Sequence, residues 1–161
     1  MTGSPRLTGL AATLIVGMVI STFLGFAFGA LGPFIIDDLD LSRTALGSLT
    51  TVMYFVGAAL SPVLGPVVDR IGGRRSLLAL FAVGSAGTVV AAAAPGYGGL
   101  VAGAALAGVA VALGNIATNQ LIARHVEPAR QGILTGLKQS GVQAGAFLAG
   151  AALPAVAEVW G

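Results

Sequence analysis

Charge is what this chain has least of: eight basic and six acidic residues make up only 9% of its 161 positions. Soluble domains carry about 25% charged side chains, so there is too little polar surface here to cover a globule in water. Cysteine is absent, which removes disulfide frameworks, cysteine-based zinc sites and thiol nucleophiles. Histidine occurs once, as His125, so no ligand cluster forms and the chain is expected to hold no metal and no cofactor. A net charge of +2 makes no basic stripe, which excludes nucleic acid as a partner. What is present is 56% hydrophobic, with 25 glycines. In water that glycine count would favour flexible chain, but in lipid the backbone must satisfy its own hydrogen bonds, so helix persists despite poor propensity.

The few charges fall in clusters. Residues 7–36, 44–68, 76–123 and 139–157 carry none. A helix crossing about 30 Å of hydrocarbon needs roughly 20 apolar residues, so the longest stretch holds two crossings and the chain holds five. The spans are placed at residues 8–31, 45–66, 76–94, 98–122 and 132–156. Turn signals fall between them: Pro33 with Asp37, Asp38 and Asp40, then Pro95-Gly96-Tyr97-Gly98-Gly99, then Glu127-Pro128. Alternating segments of about ten residues, the mark of an outer-membrane barrel, are missing. A secretory signal peptide also begins with a basic residue and an apolar run, but its apolar region is about 7 to 15 residues and is not followed by four more spans. The fold class is an all-α polytopic membrane protein, with the lipid bilayer as its first partner.

With a cytoplasmic N-terminus, Arg6, Arg70, Arg74, Arg75, Arg124 and Arg130 all face inward and only Arg43 faces outward. The positive-inside rule selects that orientation, in the inner or plasma membrane. Asp37, Asp38, Asp40 and Glu158 then lie outside, and Tyr97 and Trp160 fall at interfacial depth.

One specific motif stands between the second and third spans, in the stretch Gly65-Pro66-Val67-Val68-Asp69-Arg70-Ile71-Gly72-Gly73-Arg74-Arg75. Read as a loop, it uses Gly65 for close helix packing, Gly72 to reverse a short connection, and its arginines to stay cytoplasmic. Asp69 is the odd member. A carboxylate beside the bilayer on a basic turn calls for a partner, either Arg70 or a group on another helix. Gly65, Asp69, Arg70, Gly72, Arg74 and Arg75 fill every fixed position of G-x-x-x-D-R-x-G-x-R-R, and the chain therefore resembles the major facilitator superfamily. That resemblance implies a helix bundle of two six-helix halves, of which residues 1–161 are an incomplete N-terminal half. It implies a secondary active permease cycling between outward-open and inward-open states, with Asp69 and Arg70 contacting the other half across the cytoplasmic face. The partners it implies are a small-molecule solute and the remaining transporter helices, the sixth and the C-terminal half.

Two further family patterns are incomplete. The drug and proton antiporter pattern of the fourth span is matched at Leu100, Gly108 and Ala112, but Ala104 stands where its arginine would be. In the fifth span, Gly141, Gly145 and Gly150 fit, whereas Ala146 replaces a proline and Ala149 a glycine. An uptake-type or organic-anion porter is thus favoured over a multidrug antiporter.

Polar residues inside spans mark a candidate substrate path, since an unpaired polar group in hydrocarbon costs several kcal/mol. Asn115 and Asn119 are four apart and share a helix face. Lys138, Gln139 and Gln143 occupy an arc of about 140°. Lys138 and Asn115 both sit about 10 Å inside the cytoplasmic end, so Lys138 can meet an anionic solute while Asn115, Gln139 and Gln143 supply hydrogen bonds. The competing reading is that Lys138 snorkels and the amides bridge helices. No nucleophile and base stand together, so the chain is read as no enzyme. The expected function is transport of a small organic solute by alternating access, by a fragment not competent alone. The alternative is a non-transporting helical membrane component or truncated remnant.

Overall fold

The computed structural model describes residues 5–160, with side chains for 7–159. The side chains of Arg6 and Trp160, used above for orientation, lie outside the described residues, as does Gly161. Six helices follow one another: α1 Pro5–Ala30, α2 Gly32–Leu39, α3 Arg43–Ile71, α4 Gly73–Ala92, α5 Tyr97–His125 and α6 Pro128–Trp160. No strand occurs among the described residues. All but α2 are long and apolar enough to cross a membrane.

The long helices run past the uncharged stretches. α3 begins at Arg43, where Ser42 caps it by accepting a hydrogen bond from the Ala45 N–H at 3.1 Å. It ends only at Ile71, so the motif expected in a loop is helical as far as that residue and resumes as helix at Gly73. The connection is Gly72 alone, with φ 83° and ψ 157°. An L side chain is strained at that φ, which is why glycine reverses the chain here. Charged residues such as Asp69 and Arg70 end a hydrophobic span without ending a helix, because water satisfies their side chains beyond the bilayer. The first connection also differs from expectation. Pro33 sits in the first turn of α2, where its missing N–H costs nothing, and Asp40 closes that helix in the left-handed region.

α5 stands at the centre, packed on α4, α3 and α1, and α1 pairs with α6. Small residues let these backbones approach. A Cβ on Gly57 of α3 would lie 2.9 Å from the Gly108 carbonyl oxygen of α5, and one on Gly103 of α5 would lie 2.9 Å from that of Gly87 on α4. Gly141 and Gly145 meet the α1 backbone at Ile15 and Val19. Gly65, by contrast, has open space around its Cβ position among the described residues, so the close packing expected of it is not made there. The core falls into three patches. Leu24, Phe28, Leu49, Met53, Leu100 and Ala104 fill the acidic end, Val68, Leu77, Leu80 and Leu113 join α3, α4 and α5 from the middle to the basic end, and Leu14, Ile122, Val126 and Leu134 join α1 and α6 to the end of α5.

Candidate functional site

Two polar assemblies break this apolar packing, and both are built on α5. The first is at the basic end. Asp69, on the last turn of α3, accepts a hydrogen bond from Gln120 Nε2 at 2.6 Å, and Arg124 Nη2 stands 4.0 Å from the same oxygen. The partner expected for Asp69 is therefore on another helix rather than Arg70. Gln120 Nε2 also donates to the Val68 carbonyl at 3.2 Å, tying the end of α3 to α5. Arg70, Arg74 and Arg75 are exposed at the same end. The Asp69–Arg124 pair is the only ion pair among the described residues, and at 69% and 54% side-chain exposure it contributes little stability.

The second assembly lies deeper. Lys138 of α6 is only 3% exposed. Its Nζ donates to Asn119 Oδ1 at 2.6 Å and to Thr118 Oγ1 at 3.1 Å, both on α5. Thr118 is fully buried and spends its own proton on the Gly114 carbonyl at 2.6 Å, which leaves a lone pair facing the ammonium. An ammonium has three donors, and two are used here. Both partners are neutral oxygens, so its charge is solvated but not neutralised. Asn119 is exposed on α5.

Of the five residues expected along a substrate path, the structure joins Lys138 and Asn119. Asn115 is exposed and bonds back to its own helix, Nδ2 to the Val111 carbonyl at 3.2 Å. Gln139 and Gln143 are exposed on α6, and neither is hydrogen-bonded to Lys138. Thr118 and Gln120 were not anticipated. Thr118 lies one turn beyond Asn115 and beside Asn119, and Gln120 lies four residues before Arg124. Helical spacing puts each near a residue already singled out, but not its partner on the facing helix.

A sequence model of the Major Facilitator Superfamily matches residues 13–161. The chain belongs to the major facilitator superfamily. Among its relatives, the uncharacterized transporter YycB of Bacillus subtilis is 32% identical over 157 residues, covering 92% of this chain and 38% of that protein. The probable nitrate/nitrite transporter NarK2 of Mycobacterium tuberculosis is 33% identical over 140 residues, covering 80% of this chain and 34% of NarK2. The 2-nitroimidazole transporter of Escherichia coli is 32% identical over 130 residues, with 77% and 33% covered. The chain thus spans well under half the length of these relatives. No solved structure matches it significantly.

As a major facilitator protein, the chain is a multi-pass membrane protein of a transporter family. One family position takes on physical meaning here. Ala104, where drug and proton antiporters carry arginine, is fully buried in the cluster of Leu24, Leu49, Met53 and Leu100, so no guanidinium could be accommodated without rebuilding that core. The only buried charge among the described residues is instead that of Lys138.

Proposed function

We propose that these residues are the first part of a secondary active permease that carries a small organic anion across the inner or plasma membrane by alternating access. The N-terminus lies in the cytoplasm, the basic end faces the cytoplasm, and the sixth helix and the C-terminal half complete the pathway. Asp69 and Arg70 act as the conformational gate at that end, with Gly65, Gly72, Arg74 and Arg75 shaping it.

The observation that carries the reading is the Lys138 ammonium, 3% exposed and held by two neutral oxygens. A buried charge is costly unless paired, and an anion would both pair with it and accept its remaining proton. In this reading Asn119, bonded to Lys138, and Asn115, one turn away on α5, would bond the rest of such a solute, with Gln139 and Gln143 further along the path. A relative named as a nitrate/nitrite transporter supports an anionic cargo.

Binding to the full-length protein tests this, read as thermal stabilisation by nitrate and by small carboxylates against their neutral amides. Lys138→Met should weaken anion binding tenfold or more, a change of about 1.4 kcal/mol or above, and Lys138→Arg should retain part of it. Equal anion affinity in Lys138→Met and the parent would refute the reading.

A further inference from the structure

α5 holds the junction of α3 and α4 through three residues, Gln120, Leu121 and Arg124. Leu121 packs against Gly73 at the start of α4, where a Cβ would collide with it. Gln120 bonds the Val68 carbonyl and the Asp69 carboxylate, and Arg124 stands 4.0 Å from Asp69 Oδ1. The orientation of the Gln120 amide follows from its neighbours. Its nitrogen has two hydrogens and faces two acceptors, whereas an oxygen in that place would face a carbonyl and a carboxylate with no proton between them.

That choice leaves Gln120 Oε1 buried with no hydrogen-bond partner among the described residues. A buried acceptor left unpaired opposes burial, so packing alone does not account for an amide here. Asp69 needs a donor for a separate reason. It sits on the last turn of α3, where unpaired helix carbonyls already give a partial negative charge, and a carboxylate is disfavoured at that end.

We propose that Gln120 is a positioning residue for the gate: it holds Asp69 on its own half, in competition with the contacts Asp69 makes across the basic face, and so sets the balance between open and closed states. This rests on the reading of Asp69 and Arg70 as the gate. The hold is strong enough to fix the carboxylate and weak enough to exchange, because Asp69 is 69% exposed and water screens the bond.

Opposite substitutions at one position separate positioning from packing. Gln120→Lys keeps a donor and adds positive charge, so it tightens the hold on Asp69. Gln120→Glu keeps the size, loses the donor and repels Asp69. A packing role moves both variants in the same direction; a positioning role moves them in opposite directions. The measurement is the distance distribution between spin labels placed across the basic face of the full-length protein in lipid nanodiscs. Gln120→Lys should raise the ratio of open to closed basic face roughly threefold to tenfold, and Gln120→Glu should lower it by a similar factor. In an Asp69→Asn background the two variants should no longer differ in sign. Shifts of the same sign, or no shift, while Asp69→Asn alone moves the distribution, would overturn the role of Gln120 and leave the gate intact. A distribution that Asp69→Asn itself leaves unchanged would overturn the gate, and this inference with it.

Discussion

α5 and α6 are neighbours in sequence, both long, glycine-rich and apolar enough to cross a bilayer, yet they stand in the bundle differently. In its most apolar stretch, 56% of α5 is buried, against 11% of α6. Three glycines of α5 each meet a different helix: Gly103 on α4, Gly108 on α3 and Gly114 on α1. The glycines of α6 pack on one helix, Gly141 and Gly145 against α1, while Gly132, Gly136 and Gly150 meet nothing within 4 Å among the described residues. The same residue type therefore meets three helices from α5 and one from α6. Composition cannot distinguish them; the number of helices that approach does.

The sharpest break of this comparison is Gly108→Val. A Cβ on Gly108 runs into the Met53 backbone carbonyl of α3, and backbone cannot rotate away as a side chain can. The cost is on the order of 3 kcal/mol, the upper part of the range for overpacking. The melting midpoint of the full-length protein in detergent, followed by size-exclusion chromatography after heating, should fall by several degrees or the protein should fail to accumulate. A midpoint equal to the parent's would mean that α3 and α5 do not cross at this point.

A smaller effect is expected where α6 reaches into α5. Thr118→Val keeps the shape but removes the oxygen that receives Lys138 Nζ at 3.1 Å. One hydrogen bond to a charged group is lost, about 1.5 kcal/mol, so anion binding should weaken roughly tenfold while Thr118→Ser stays near the parent. The matching change on the free side of α6 is Ser140→Ala, whose exposed hydroxyl bonds only its own Leu137 carbonyl. It should leave binding unchanged. Isothermal titration of the full-length protein with nitrate reads both, and equal effects from the two would erase the distinction drawn between the helices.

How far this was legible in the sequence depends on what each feature needs. Spans 8–31 to 132–156 rest on hydrophobicity, which is additive along the chain, and so could be placed before any packing was known. Helix ends were not legible in the same way, since Asp69, Arg70 and Arg124 leave the lipid without leaving the helix. Lys138 was visible as a charge inside an apolar run, but the amide expected at matching depth was Asn115, one turn from the Asn119 that Lys138 bonds. Thr118 and Gln120 carried little signal, because a threonine or glutamine on a helix acquires its role from the partner it meets. Gly57 and Gly108 belong to the same class. Among so many glycines, only the approach of a second backbone says which ones matter.

The smallest expected effect is also the one that extends the comparison beyond the described residues. Gly136 of α6 is exposed, and a Cβ there meets nothing within 4 Å. Gly136→Ala should therefore change stability by no more than about 0.5 kcal/mol, with helix propensity favouring alanine. A fall in melting midpoint of the full-length protein, to the extent seen at a packed glycine, would show that another helix lies against this face of α6. Gly132, Gly136 and Ser140 would then be its contact stripe, because three small residues at four-residue spacing admit a backbone more closely than lipid requires. With the midpoint unmoved, that stripe faces lipid, and α6 meets the rest of the protein through its Lys138 and Gln139 side instead.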